Sequence, residues 1–165
     1  MDTHPTPRRG AGVTVRRAKR TDLGPVFALI QHARGGALSN EEIIRKATGY
    51  GYLIAEAQER IIGVAGMLME NSIVCVRDLH ATGASTRGLA TAVLMDAIED
   101  EAGALACEAI IVQMPPGTPV MEALLRDRRY ERQPLDEMKR LWREVAREQF
   151  EPDAALWVNN LRKLR

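Results

Sequence analysis

The chain has 165 residues, 45% of them hydrophobic and 27% charged, enough for one domain with a core of its own. Its 23 basic and 22 acidic residues leave a net charge of +1, which argues against a surface built to grip duplex nucleic acid or an anionic membrane. Aromatic residues make up 4%, too few for a base-stacking platform, and two cysteines without a Cys-X-X-Cys pair, with scattered His4, His32 and His80, argue against a metal site.

Residues 1–12 carry proline, glycine and charge without an apolar core, and read as a disordered lead-in rather than a secretory signal. No apolar run approaches the roughly 18 residues that span a bilayer. Cys75 and Cys107 lie far apart in apolar runs, as buried free thiols of a cytoplasmic protein do. "VTVRR" (13–17) alternates as a first strand. A helix follows, capped by Thr21 or Asp22, tolerant of Pro25 in its first turn, striped by Val26, Leu29, Ile30 and Ala33, and stopped by Gly35 and Gly36. "SNEE" (39–42) has the form of a capping box opening a short helix with Ile43, Ile44 and Ala47 that stops near Gly49.

Three strand signals come next, "GYLIAE" (51–56), "IIGVAGMLME" (61–70) and "IVCVRDLHA" (73–81), joined by short polar turns as in an antiparallel meander. A helix runs from about Gly88 to Ala102 on Leu89, Val93, Leu94, Ala97 and Ile98. "ACEAIIVQM" (106–114) is apolar enough to be a central strand, and "VMEALLRDR" reads as a helix with Val120, Ala123 and Leu124 inward. Residues 135–145 fit a helix better than a strand, and "DAALWVNNLRKLR" reads as a closing helix capped by Asp153. Asp96, Glu99, Asp100 and Glu101 form an acidic, solvated face. "RDRRYER" (126–132) is the densest basic patch, suited to a helix C-terminus and, less strongly, to an acidic partner.

The loop "GASTRG" (83–88), set directly before a helix, raises the functional question. It can be an ordinary strand-to-helix turn. It can also cradle phosphates, because a helix N-terminus offers unpaired N–H groups and about half a positive charge, small residues admit close approach, and Arg87 adds a cation.

In the order of its elements the chain resembles the GNAT superfamily of acetyl-CoA-dependent N-acyltransferases, over roughly Val13 to Leu141. "YLIAEAQERIIGVAGM" is similar to the family's second and third strands. "VRDLHATGASTRGLATAVLMDAIEDEA" resembles its fourth strand, phosphate loop and third helix, and "EAIIVQM…VMEALLRDRRYE" its fifth strand and fourth helix. The family's loop, Gln/Arg-X-X-Gly-X-Gly/Ala, is matched by Ser85-Thr86-Arg87-Gly88-Leu89-Ala90, with Ser85 departing at the first position. The resemblance implies an α/β (α+β) fold, a mixed, mostly antiparallel sheet flanked by helices with an extra C-terminal helix. It divides the chain into a lead (1–12), an acyl-CoA-binding domain (13–142) and a helical extension (143–165).

The resemblance also implies acetyl-CoA or another acyl-CoA as co-substrate, with no metal. Leu79 and Ala81 would hold the pantetheine arm through their backbone, and Ser85, Thr86, Arg87, Gly88, Leu89, Ala90 and Thr91 would hold the phosphates. An unidentified amine would take the acyl group by direct attack, with neither nucleic acid nor membrane as partner and a homodimer left open. Acyl transfer needs a base for the amine proton and donors for the oxyanion. Candidate bases are His80, whose ordinary pKa suits neutral pH, Asp78 and Glu56. The family's thiolate-protonating tyrosine falls at Leu125, which cannot donate a proton, and Tyr130 is the nearest phenol. The Ser85 and Leu125 departures keep a second reading open, a catalytically silent binding or regulatory module. A third is an unrelated α+β domain.

Overall fold

A computed structural model describes residues 8–10, 12–36, 39–46, 49–115 and 118–164. Its strands are β1 (Arg8–Gly10), β2 (Val13–Arg17), β3 (Gly51–Ala57), β4 (Arg60–Glu70), β5 (Ile73–Ala81), β6 (Ala109–Met114), β7 (Glu131–Arg132) and β8 (Ala155–Asn160). Its helices are α1 (Leu23–Ala33), α2 (Asn40–Lys46), α3 (Arg87–Ala104), α4 (Pro119–Asp127) and α5 (Arg140–Gln149). The strands form one sheet in the order β1-β2-β3-β4-β5-β6-β8-β7. The chain divides into two compact units, Met1–Gly66 with Asp78–Ala97, and Met67–Arg77 with Ile98–Arg165. The boundaries fall inside β4, β5 and α3, so no linker marks them.

In the first unit, β1–β2 and β2–β3 pair antiparallel. The turn Gln58-Glu59 between β3 and β4 has both residues at positive φ (50° and 63°), the twist of a two-residue hairpin. Val26 and Ile30 of α1 and Ile43 of α2 pack with Tyr52, Ile54 and Val64 of the sheet. Each such side chain contributes about 1.5–3 kcal/mol by leaving water. Gly63 lets α3 lie close on the sheet, since a β-carbon there would stand 3.1 Å from Leu94 Cδ1. The capping box forms, with Ser39 N donating to Glu42 Oε2 (2.7 Å) and Glu42 N to Ser39 Oγ (3.2 Å). Ala47 lies outside the described residues.

In the second unit, β6 pairs parallel with the first half of β5, from Ile73↔Ala109 to Val76↔Val112. It pairs antiparallel with β8 over all six residues, and β8 pairs with β7. Ile110, Ile111, Val112, Trp157 and Val158 are buried.

Several expectations need correction. Arg8–Gly10, inside the stretch expected to be disordered, pair with Val13–Val15. Asp22 closes a 3-10 turn rather than capping α1 with its side chain, and accepts from Lys19 N at 2.6 Å. The apolar strand begins at Ala109, because Ala106 turns at φ +53°. α4 buries Met121 and Leu125, whereas Val120 is 71% exposed. The closing segment is the inner strand β8 and a 3-10 turn, not a helix capped by Asp153. Residues 143–165 are therefore no helical extension, since α5 starts before them and β8 completes the sheet.

Candidate functional site

The turn from β5 into α3 is built from its own side chains. Gly83 stands at φ +81°, and a β-carbon there would lie 2.6 Å from Thr86 Oγ1, so the sharp entry requires glycine. Thr86 donates its hydroxyl to Thr82 O (2.9 Å), Arg87 N donates to Gly83 O (3.0 Å) and Ala90 N to Thr86 O (2.8 Å). Among the described residues, the N–H groups of Ser85, Gly88 and Leu89 donate to no protein acceptor. Ser85, Arg87 and Gly88 are exposed, and a β-carbon on Gly88 would meet nothing within 4 Å. The loop is thus a well-made helix start that still leaves donors, a helix dipole and one arginine facing outward, the equipment of an anion site. Ala90 and Thr91 are buried, and the Thr91 hydroxyl donates to Arg87 O (2.8 Å), so their side chains serve the helix.

Just ahead, β5 changes character. Asp78 adopts φ +54° and is buried together with Leu79. The Asp78 carboxylate accepts from Arg34, at the end of α1, at 2.6 Å. His80 Nε2 lies 3.9 Å from the same carboxylate, is buried, and has no hydrogen-bond partner among the described residues. Burial pushes the imidazole pKa down, the Asp78 carboxylate pulls it back up, and the Arg34 charge adds a further lowering. The lowered pKa favours the neutral ring at neutral pH.

Two other candidates are engaged elsewhere. Glu56, on β3, accepts from Arg16 Nη2 at 2.8 Å and Nε at 3.2 Å, and Asp22 accepts from Arg16 Nη1 at 2.7 Å and Nη2 at 3.0 Å. That fork holds Asp22 at a pKa of about 2, and a carboxylate so occupied is a structural anchor rather than a mobile base. Tyr130 belongs to the second unit, is 2% exposed, and has its phenol beside Glu99 and Asn159. Burial, then the Glu99 carboxylate, push its pKa up. Glu99 itself pairs with Arg128 at 3.0 Å instead of facing solvent as expected. Leu125 is fully buried.

The structure thus brings Asp78 and His80 together and adds Arg34, which the sequence pattern does not announce; Tyr130 belongs to the other unit. Nothing local marks Arg34, which closes "HAR" before two glycines and meets a carboxylate 44 residues on.

No protein-family model matches the sequence, and no curated protein matches it. Its three-dimensional structure is similar to that of a GNAT-family acetyltransferase from Staphylococcus aureus Mu50 (TM-score 0.72, 10% identity, 90% of this chain and 99% of that one). It is also similar to a GNAT-family acetyltransferase from Elizabethkingia anophelis with acetyl-CoA bound (0.66, 13%, 92% and 100%). A third similar structure is N-acetylglutamate synthase from Neisseria gonorrhoeae complexed with coenzyme A and N-acetyl-glutamate (0.70, 17%, 93% and 36%). The chain spans about a third of the synthase it matches. These likenesses establish the fold: it is that of the GNAT acetyltransferases, a mixed, mostly antiparallel sheet flanked by helices.

Proposed function

We propose that the chain transfers an acyl group, acetyl in the simplest case, from coenzyme A to an amine. The observation that carries this reading is the start of α3, where the N–H groups of Ser85, Gly88 and Leu89 have no acceptor among the described residues and Arg87 stands exposed beside them. A pyrophosphate supplies the missing acceptors and the charge that the helix dipole favours. The coenzyme A and acetyl-CoA complexes among the similar structures support the same ligand. The backbone of Leu79–Ala81, on the part of β5 beyond its register with β6, would hold the pantetheine arm by strand-like hydrogen bonds.

The amine attacks the thioester carbon, and the oxyanion that forms requires N–H donors. The attacking nitrogen becomes positive and acidic, and His80 Nε2 takes its proton. The carbon–sulfur bond then breaks. With a thiol pKa near 8.5, the leaving group departs as thiolate and takes its proton from solvent or from the His80 imidazolium. Asp78 and Arg34 are positioning residues, holding the ring and setting its basicity. An acidic tyrosine is thus not required, in keeping with Leu125 at that place and with the buried Tyr130 phenol. The two free, buried cysteines support a cytoplasmic setting.

Leu125 also favours a second reading, a domain that binds acyl-CoA without turnover. One experiment separates them: thermal unfolding with acetyl-CoA, followed by thiol release with a panel of amines. Stabilisation with turnover supports the transferase, stabilisation alone the binding module, and neither overturns both. At 100 times its dissociation constant the ligand adds about 2.7 kcal/mol.

A further inference from the structure

A surface cavity of about 470 Å³ lies wholly within the second unit, and three cations from separate elements line it. Arg126 comes from the last turn of α4, Arg129 from the turn before β7, and Lys163 from the 3-10 turn after β8. Glu131 is the one acid of its wall. Arg126 is steadied 5.2 Å over the Trp157 ring and 3.8 Å from Glu122. Arg129 and Lys163 make no ion pair among the described residues. The neutral lining includes the amides of Gln133 and Asn160, which can donate.

The C-terminus of a helix attracts positive charge, and that accounts for Arg126. It does not account for Lys163, on another element. Nor does it account for Arg129, which holds φ +70° in the slot after α4 where glycine is the common choice. A side chain kept on an unfavourable backbone, beside a lysine with no ion pair among the described residues, points to a task for the charge. The volume suits a small molecule, within the roughly 300–1,000 Å³ of ligand pockets.

We propose that this cavity binds a small oxyanion, a metabolite bearing carboxylate or phosphate groups with at least two negative charges. The guanidinium forks of Arg126 and Arg129 grip its oxygens and Lys163 supplies a point charge. The site is independent of the acyl-transfer reading. The test is thermal unfolding at constant ionic strength, with citrate and inorganic phosphate as separate probes, on the wild type, Arg129→Gly/Lys163→Gln and Gly88→Asp. The Arg129→Gly change relaxes the backbone, so the double variant folds at least as well as the wild type without ligand. A saturable rise in Tm with either probe, weakened at least tenfold in apparent Kd in the double variant and kept in Gly88→Asp, supports the site, and the more effective probe identifies the group preferred. No saturable rise with either probe, an equal rise in the double variant, or a rise lost in Gly88→Asp overturns it.

Discussion

His80, partly buried, and Tyr130, fully buried, are titratable groups of the two compact units, and burial serves them differently. A low-dielectric setting disfavours the charged form of each. For the imidazole the result is a neutral ring, the state a base must start from. For the phenol it is a proton held more tightly, the reverse of what an acid needs. Their surroundings widen the gap. The Asp78 carboxylate stands near the His80 ring and moderates its loss of basicity, whereas the Glu99 carboxylate raises the Tyr130 pKa further. Two residues that both looked suited to proton transfer therefore part into a neutral imidazole, the form the proposed base requires, and a packed phenol.

Substitution at each ring has the largest expected effect. His80→Gln should lower kcat by about 10²–10⁴-fold, the usual worth of a positioned base, while Tyr130→Phe leaves kcat near wild type. Steady-state kinetics in which the second variant fails and the first does not would reverse the assignment. Next in size, Gly88→Asp places a carboxylate among the outward-facing N–H groups. It should abolish the roughly 2.7 kcal/mol of stabilisation given by saturating acetyl-CoA and leave the unliganded Tm almost unchanged, since a side chain there meets open space.

Arg34→Met sharpens the account of His80. It leaves Asp78 buried without this cation, at a cost of about 1–3 kcal/mol in urea unfolding. It also removes one cause of the lowered imidazole pKa, so the acid limb of the pH–rate profile should move to higher pH. A stability loss without that move would make the ion pair purely structural.

The smallest effect is on stability against pH. His80 has a folded pKa below its unfolded value, so between the two the unfolded chain binds the extra proton and stability falls as pH drops from 6.5. Asp22 acts in the same sense lower down, its contribution being lost as pH falls from 3.8 toward about 2. Urea midpoints measured from pH 7 to 5 should decline in the wild type and flatten in His80→Gln.

What was legible in the sequence was local. The capping box at Ser39, the short turns of the meander and the small-residue entry to α3 are decided by neighbours within four residues, and all formed. What misled was set by distant partners. In "LWVNNL" the apolar positions fit a helix, yet pairing with Ala109–Met114 makes the segment a strand. The face of α4 rotated by about one residue, roughly 100° on a helix, because Met121 and Leu125 make as good a stripe as Val120 and Leu124. In the candidate site, His80, Asp78 and the loop donors could be named from the sequence. Arg34 and the Arg16 fork on Glu56 depend on chain crossings of 44 and 40 residues that no local pattern announces.

Ligand binding at the start of α3 is read out by titrating the isotopically labelled protein with coenzyme A and following backbone amide shifts. The N–H signals of Ser85, Gly88 and Leu89 should move together and saturate, ahead of those elsewhere. A folded protein in which these three stay unmoved at millimolar coenzyme A would reduce "GASTRG" to an ordinary helix start and contradict the acyl-CoA reading.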